Sequence, residues 1–188
     1  LARVPGPGTA RGLPRHVRRY ASLVLGLALL GAADSAPVAP EPRLEAERPA
    51  TGRFLVATEQ VRGSFFERSV VFLLNYSESA ALGLIVNRST DVELHDIVKG
   101  ALEGAGALYL GGPVGPSSVM VLLRTGSPPK HAIRVIGDVF MTVDPAILLE
   151  HTGKTGSIGD LRVYAGYAGW GPGQLDAEIA HGDWIVVS

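Results

Sequence analysis

Apolar residues in this chain gather into short unbroken runs rather than long helical stripes. Ser69-Val70-Val71-Phe72-Leu73-Leu74 is too short for a typical helix and rich in strand formers, which predicts a strand buried on both faces. Residues 53–57 predict a strand before it, and residues 82–87 one after a polar turn at 75–79. Thr90-Asp91-Val92-Glu93 then has the form of a capping box, the Thr hydroxyl accepting from the Glu amide while the carboxylate reaches back. Val92, Ile97, Val98, Ala101 and Leu102 supply the apolar face of the helix it would open.

Further strands are predicted at 107–110, 119–123, 133–136, 139–143, 161–164 and 184–187. Asp144-Pro145 is a good helix start, with an acceptor at the cap and a ring where the missing amide costs nothing. Ile147, Leu148 and Leu149 continue that helix and Gly153 can end it; another helix is predicted over 174–180. Strands outnumber helices and the opening three are joined without helices. This pattern predicts an α+β fold with a mixed, largely antiparallel sheet.

The chain has 188 residues, 46% of them hydrophobic, enough for a buried core in one ordinary domain plus a tail. It has no cysteine, which excludes disulfides, thiolate metal sites and a Cys nucleophile. Arg15-His16-Val17-Arg18-Arg19 precedes an uncharged apolar run and then small residues ending at Ala36, the order of a secretory signal. The run is shorter than the roughly 20 residues a spanning helix needs. Residues 1–36 are therefore read as a cleaved leader, leaving no stable membrane span and a periplasmic or secreted product. If the extension is not translated, the product is cytoplasmic. Residues 37–51 hold four prolines and five charges and read as an extended linker, followed by a domain over 52–188.

Charge is unevenly divided. Residues 1–36 carry five arginines and one acid, which leaves 12 basic and 17 acidic residues, a net −5, for 37–188. A nucleic-acid partner needs a cationic footprint, so this balance argues against one.

Gly166-Tyr167-Ala168-Gly169-Trp170-Gly171-Pro172-Gly173 places four glycines and a proline around one of the two tryptophans, and predicts a rigid turn. A phosphate cradle is opposed by Pro172, which lacks an amide, and by Asp176 and Glu178 in the following turn. The turn reads instead as structural, capped by Gln174 and Asp176. Gly111-Gly112 reads as a tight strand exit, or as a close approach to a ligand. The histidines show no metal-binding spacing, and no serine lies in a Gly-x-Ser-x-Gly elbow, so no catalytic residue, metal or cofactor is assigned. Arg68, Asn87, Gly111, Gly112, Tyr167, Trp170 and Gln174 are the candidate ligand-binding residues. An aromatic beside a hydrogen-bonding amide is a common recognition pairing.

Four segments together resemble the YqgE/AlgH family: Phe65-x-x-Arg68-Ser69-Val70-Val71-Phe72-Leu73; Gly83-Leu84-Ile85-Val86-Asn87-Arg88; Gly111-Gly112-Pro113-Val114; and Gly166-Tyr167-Ala168-Gly169-Trp170 with Gly173-Gln174-Leu175 and Glu178-Ile179. The resemblance covers about residues 52–187. It implies a branched sheet curled into a pseudo-barrel with flanking helices, and it brings no known reaction or catalytic residue. Ser89 stands where the family usually has Pro, Ala81 replaces a Gly or Met-like position, and relatives often continue past the last strand. Family members are commonly cytoplasmic, whereas this chain carries an apparent leader. The reading that follows is a non-enzymatic, exported binding domain that recognises a protein, peptide or small ligand beside Trp170. A cytoplasmic transcriptional regulator, as the family name suggests, and an unrecognised hydrolase are the alternatives.

Overall fold

The computed structural model describes residues 47–97, 106–144, 146–147 and 160–188. The expected leader, residues 37–46 of the expected linker, and the helical positions Val98, Ala101, Leu102, Pro145, Leu148, Leu149 and Gly153 lie outside them. Ten strands form one sheet: β1 (Phe54–Ala57), β2 (Val70–Tyr76), β3 (Ala81–Ile85), β4 (Ser89–Glu93), β5 (Ala107–Leu110), β6 (Val114–Arg124), β7 (Ile133–Ile136), β8 (Val139–Thr142), β9 (Leu161–Trp170) and β10 (Trp184–Val187). The helices are α1 (Leu94–Ile97) and α2 (Gln174–His181), with a 3-10 turn at Glu59–Val61. The α+β expectation holds, and the sheet is mixed and largely antiparallel, β5–β9 being its parallel pair.

The order β10-β1-β2-β3-β9-β6-β8-β7 makes β9 the hub. Along one edge of β9 the partner changes: Val163 to Ala165 face β5, and Ala168 to Trp170 face β3. The sheet forks at the residues between them. The other edge of β9 runs along β6. The sheet curls far enough for Ile136 at its β7 end to pack on Gly52, beside β1. Residues 47–51, counted with the linker in the sequence, already bond to it: Tyr76 N donates to Thr51 Oγ1, and Glu47 meets Arg53 and Ser188.

Alternation along the strands sorts side chains onto two faces. Phe72, Leu74, Leu84, Met120 and Tyr164 pack on the inner face of the curl. Leu55, Val71, Leu73, Ile85, Ala168 and Trp170 pack on the outer face with Leu175 of α2, and Val121, Leu123 and Val163 pack with Leu94 of α1 and Ile147. The run 71–74 is buried on both faces, as its composition predicts.

Two local expectations are corrected. Gly166 to Trp170 is not a turn but the second half of β9; only Gly171 to Gly173 turn into α2. The glycines are there because the sheet forks. A side chain at Gly111 would stand 2.3 Å from the Gly166 carbonyl, and one at Gly112 would stand 2.1 Å from the Tyr167 carbonyl carbon. Gly166 itself has φ +68, a left-handed conformation that resets the alternation. Tyr164 and Tyr167, three residues apart, consequently reach the same inner cluster. The capping box at 90–93 is the second correction, since these residues form β4. The Thr90 hydroxyl donates to Leu108 O on β5 and accepts from Val92 N, so the chain stays extended until Leu94.

Candidate functional site

The sequence-derived candidates fall into three groups, each occupied by internal partners. In the first, Asn87 Nδ2 donates to Arg68 O while its Oδ1 accepts from Val70 N, clamping the backbone before β2. The clamp holds Arg68 at φ +57, a conformation that costs a side-chain-bearing residue roughly 1–2 kcal/mol. Next to it, Arg88 donates to Phe65 O, Glu67 O and Ser69 Oγ, with its guanidinium 5.0 Å from the Phe65 ring centroid. The Arg68 side chain itself is 91% exposed, with Glu67 3.8 Å away.

The second group is the fork, where Gly111 and Gly112 lie against the backbone of Gly166 and Tyr167. Ile85 N donates to Gly111 O and Gly111 N donates to Ala165 O, so Gly111 ties β3 to β9. The close approach that glycine permits there is made by the protein's own chain.

The third group surrounds Trp170, which is not a surface for a ligand as expected but a core residue 4% exposed. Its indole stacks on Phe66 at 6.1 Å and meets Trp184 edge-on at 6.0 Å. Glu178 Oε2 accepts from both Trp170 Nε1 and Trp184 Nε1 at 2.8 Å, and Glu178 Oε1 accepts from Gln174 Nε2. Gln174 Oε1 in turn accepts from Gly171 N. Asp176, expected to help cap the turn, instead accepts from the Tyr76 hydroxyl at 2.6 Å, which raises the Tyr76 pKa.

A different place offers space. Between β1–β2 and β6–β8, on the inner face of the curl, lies a cleft of about 300 Å³. Phe54, Phe72, Leu122 and Val139 wall it; Arg162 and Tyr164 enter it from the same face of β9, two residues apart. Tyr164 is completely buried, and its hydroxyl makes no well-formed hydrogen bond among the described residues, only a loose contact with the Arg162 guanidinium. Native structures pair such groups almost without exception, so the hydroxyl calls for an explanation. Burial pushes the Tyr164 phenol above its ordinary pKa, against an opposing pull from the Arg162 guanidinium. Arg162 lies 5.2 Å from the Tyr109 ring centroid and donates to Val86 O at 3.3 Å. Sequence reasoning missed this site. Its one local signal was a cation and a phenol at i and i+2 on an otherwise apolar strand.

Among the described residues no group of three His, Asp or Glu side chains could hold a metal ion, and no helix is long and apolar enough to cross a membrane. His95 pairs with Asp96 at 3.3 Å and His181 with Asp183 at 2.7 Å, each with a near neighbour in the chain.

A family profile described as AlgH-like matches residues 54–188. UPF0301 proteins of Streptomyces avermitilis and Streptomyces coelicolor are 38% and 39% identical over 149 residues, 73% of this chain and 74% of theirs. Among solved structures, the crystal structure of protein DIP2367 from Corynebacterium diphtheriae superposes with a TM-score of 0.64 at 29% identity, covering 77% of this chain and 78% of that one. The solution structure of the AlgH protein from Pseudomonas aeruginosa gives 0.61 at 25% identity, covering 75% and 80%.

Proposed function

The chain belongs to the AlgH-like family, and from that premise and the cleft we propose that it is a non-enzymatic binding domain that holds a small molecule between the two wings of its sheet. The observation that carries this reading is the cleft itself, about 300 Å³ with apolar walls, where the Arg162 guanidinium and the buried Tyr164 phenol lie side by side on β9. That volume is at the lower end of ligand sites, which combine apolar walls with a few convergent polar groups. The lining suits holding rather than reacting. A guanidinium stays charged and a phenol with a raised pKa stays neutral near pH 7, so neither is poised to exchange protons.

Export belongs with this reading. Residues 15–36 follow the basic, apolar, small-residue order of a secretory signal. Intact mass of the protein recovered from its native cells is expected to show loss of the residues through Ser35 or Ala36. Recovery of the full-length chain from the cytosol would contradict export and leave the binding reading standing.

An amide-detected NMR screen of the full chain against small aromatic and aliphatic molecules tests the binding reading. Shifts are expected at Leu122, Val139 and Arg162, and Val139→Trp, which fills the cleft, is expected to remove them with the fold intact. Hits clustered around Arg68 instead would contradict the proposal.

A further inference from the structure

Resting on that reading, we infer that the cleft's ligand is a flat apolar body bearing a single compact monoanionic group, a carboxylate or sulfonate, held by Arg162 and the Tyr164 hydroxyl. The walls set the body. Phe54 and Phe72 stand with ring centroids 5.0 Å apart and 38° between their planes, and Leu122 and Val139 face them across the gap. A planar ring fills such a slot without leaving voids.

The polar atoms set the head. Arg162 carries five N–H donors, of which one bonds to Val86 O at 3.3 Å, and its guanidinium also touches the Tyr164 hydroxyl loosely. No carboxylate pairs with it among the described residues, whereas Arg124 on the same cleft is shared with Asp138 at 3.5 Å. The Tyr109 ring, with its centroid 5.2 Å from the Arg162 guanidinium, steadies that group and leaves N–H donors for a planar or tetrahedral oxyanion. Beside it Tyr164 adds a phenol that burial keeps protonated and whose O–H makes no well-formed bond among the described residues. A guanidinium and a phenol two residues apart on one face of β9 match two oxygens of one anion.

Charge limits how much anion is accepted. Asp160 also lines the cleft, and its carboxylate opposes a dianion about twice as strongly as a monoanion. A dianionic phosphate therefore fits less well than a monoanion.

The matched probes 2-naphthoate and 2-naphthamide, titrated into the full chain and followed by amide shifts, separate the possibilities. Naphthoate is expected to bind at least about tenfold tighter than naphthamide, as a charge-assisted pair warrants. Arg162→Gln is expected to erase that preference while naphthamide affinity holds. Tyr164→Phe is expected to weaken naphthoate severalfold. Equal affinity of the two probes at the cleft, or a preference that survives Arg162→Gln, would overturn the anion inference and leave a small-molecule site. Absence of cleft shifts with either probe would overturn both.

Discussion

At the residue scale, two acceptors and one poorly paired donor govern the molecule. Glu178 holds the chain's two tryptophans through a single oxygen. Glu178→Ala strands both indole N–H groups in a site where water is scarce, so a loss of roughly 2–4 kcal/mol is expected in denaturant melts. Glu178→Gln keeps an acceptor and is expected to lose about half as much; equal losses would mean the carboxylate acts through charge alone. Asn87→Ala opens the clamp on residues 68–70 and is expected to cost about 1–3 kcal/mol. Arg68→Gly relieves the left-handed strain and is expected to be neutral or mildly stabilising, although it removes a side chain. A marked loss would place energetic weight on the Arg68 guanidinium itself.

Tyr164 gives a pH dependence with a definite sign. An unfolded tyrosine ionises near pH 10, whereas the folded one holds its proton to higher pH. The unfolded state then binds fewer protons, so this stabilisation is present below pH 10 and fades as pH rises through the folded value. Tyr76 contributes with the same sign through its bond to Asp176. The alkaline loss is accordingly expected to be smaller in Tyr164→Phe than in the parent, read as stability between about pH 9 and 11; identical profiles would show that Tyr164 ionises freely.

At the scale of elements, β9 decides the fold. Its ten residues serve three strands, and the change of partner between Ala165 and Ala168 requires backbones to pass where a Cβ cannot fit. Gly112→Ala is expected to prevent folding or cost several kcal/mol by overpacking, as judged by circular dichroism and melting. Gly63→Ala has open space around it and is expected to cost only the strain of its φ of +77, about 1–2 kcal/mol. The same fork explains what was legible in the chain. Apolar runs such as 70–74 announce themselves, because burial on both faces leaves no polar interruption. Glycines at 166 and 169 look like a turn because local preference favours one, and only the distant Gly111-Gly112 shows that they belong to a strand. The Thr90 box failed for a related reason: its hydroxyl found Leu108 O on a neighbouring strand before its own backbone.

At the scale of the whole molecule, the recognisable segments pair off as architecture. Phe65 to Ser69 is held by Asn87 and Arg88; Gly111-Gly112 fits Gly166-Tyr167. The candidate site was illegible in the sequence because β1, β2, β6, β8 and β9 each contribute one wall, and none carries a motif for it. Only the curl brings Phe54 opposite Val139. The residues most visible in the chain therefore build the frame, and the opening they leave has an inconspicuous lining.

Tyr164→Phe tests this account most directly, because binding and stability must move in opposite directions. In one thermal melt with and without 2-naphthoate, the variant is expected to unfold at the same or a higher temperature than the parent alone, having shed a buried hydroxyl that makes no well-formed bond among the described residues. It is also expected to show a smaller naphthoate-induced rise. A variant that melts lower by itself yet gains as much from naphthoate would contradict the account, since the hydroxyl would then serve the core and not the ligand.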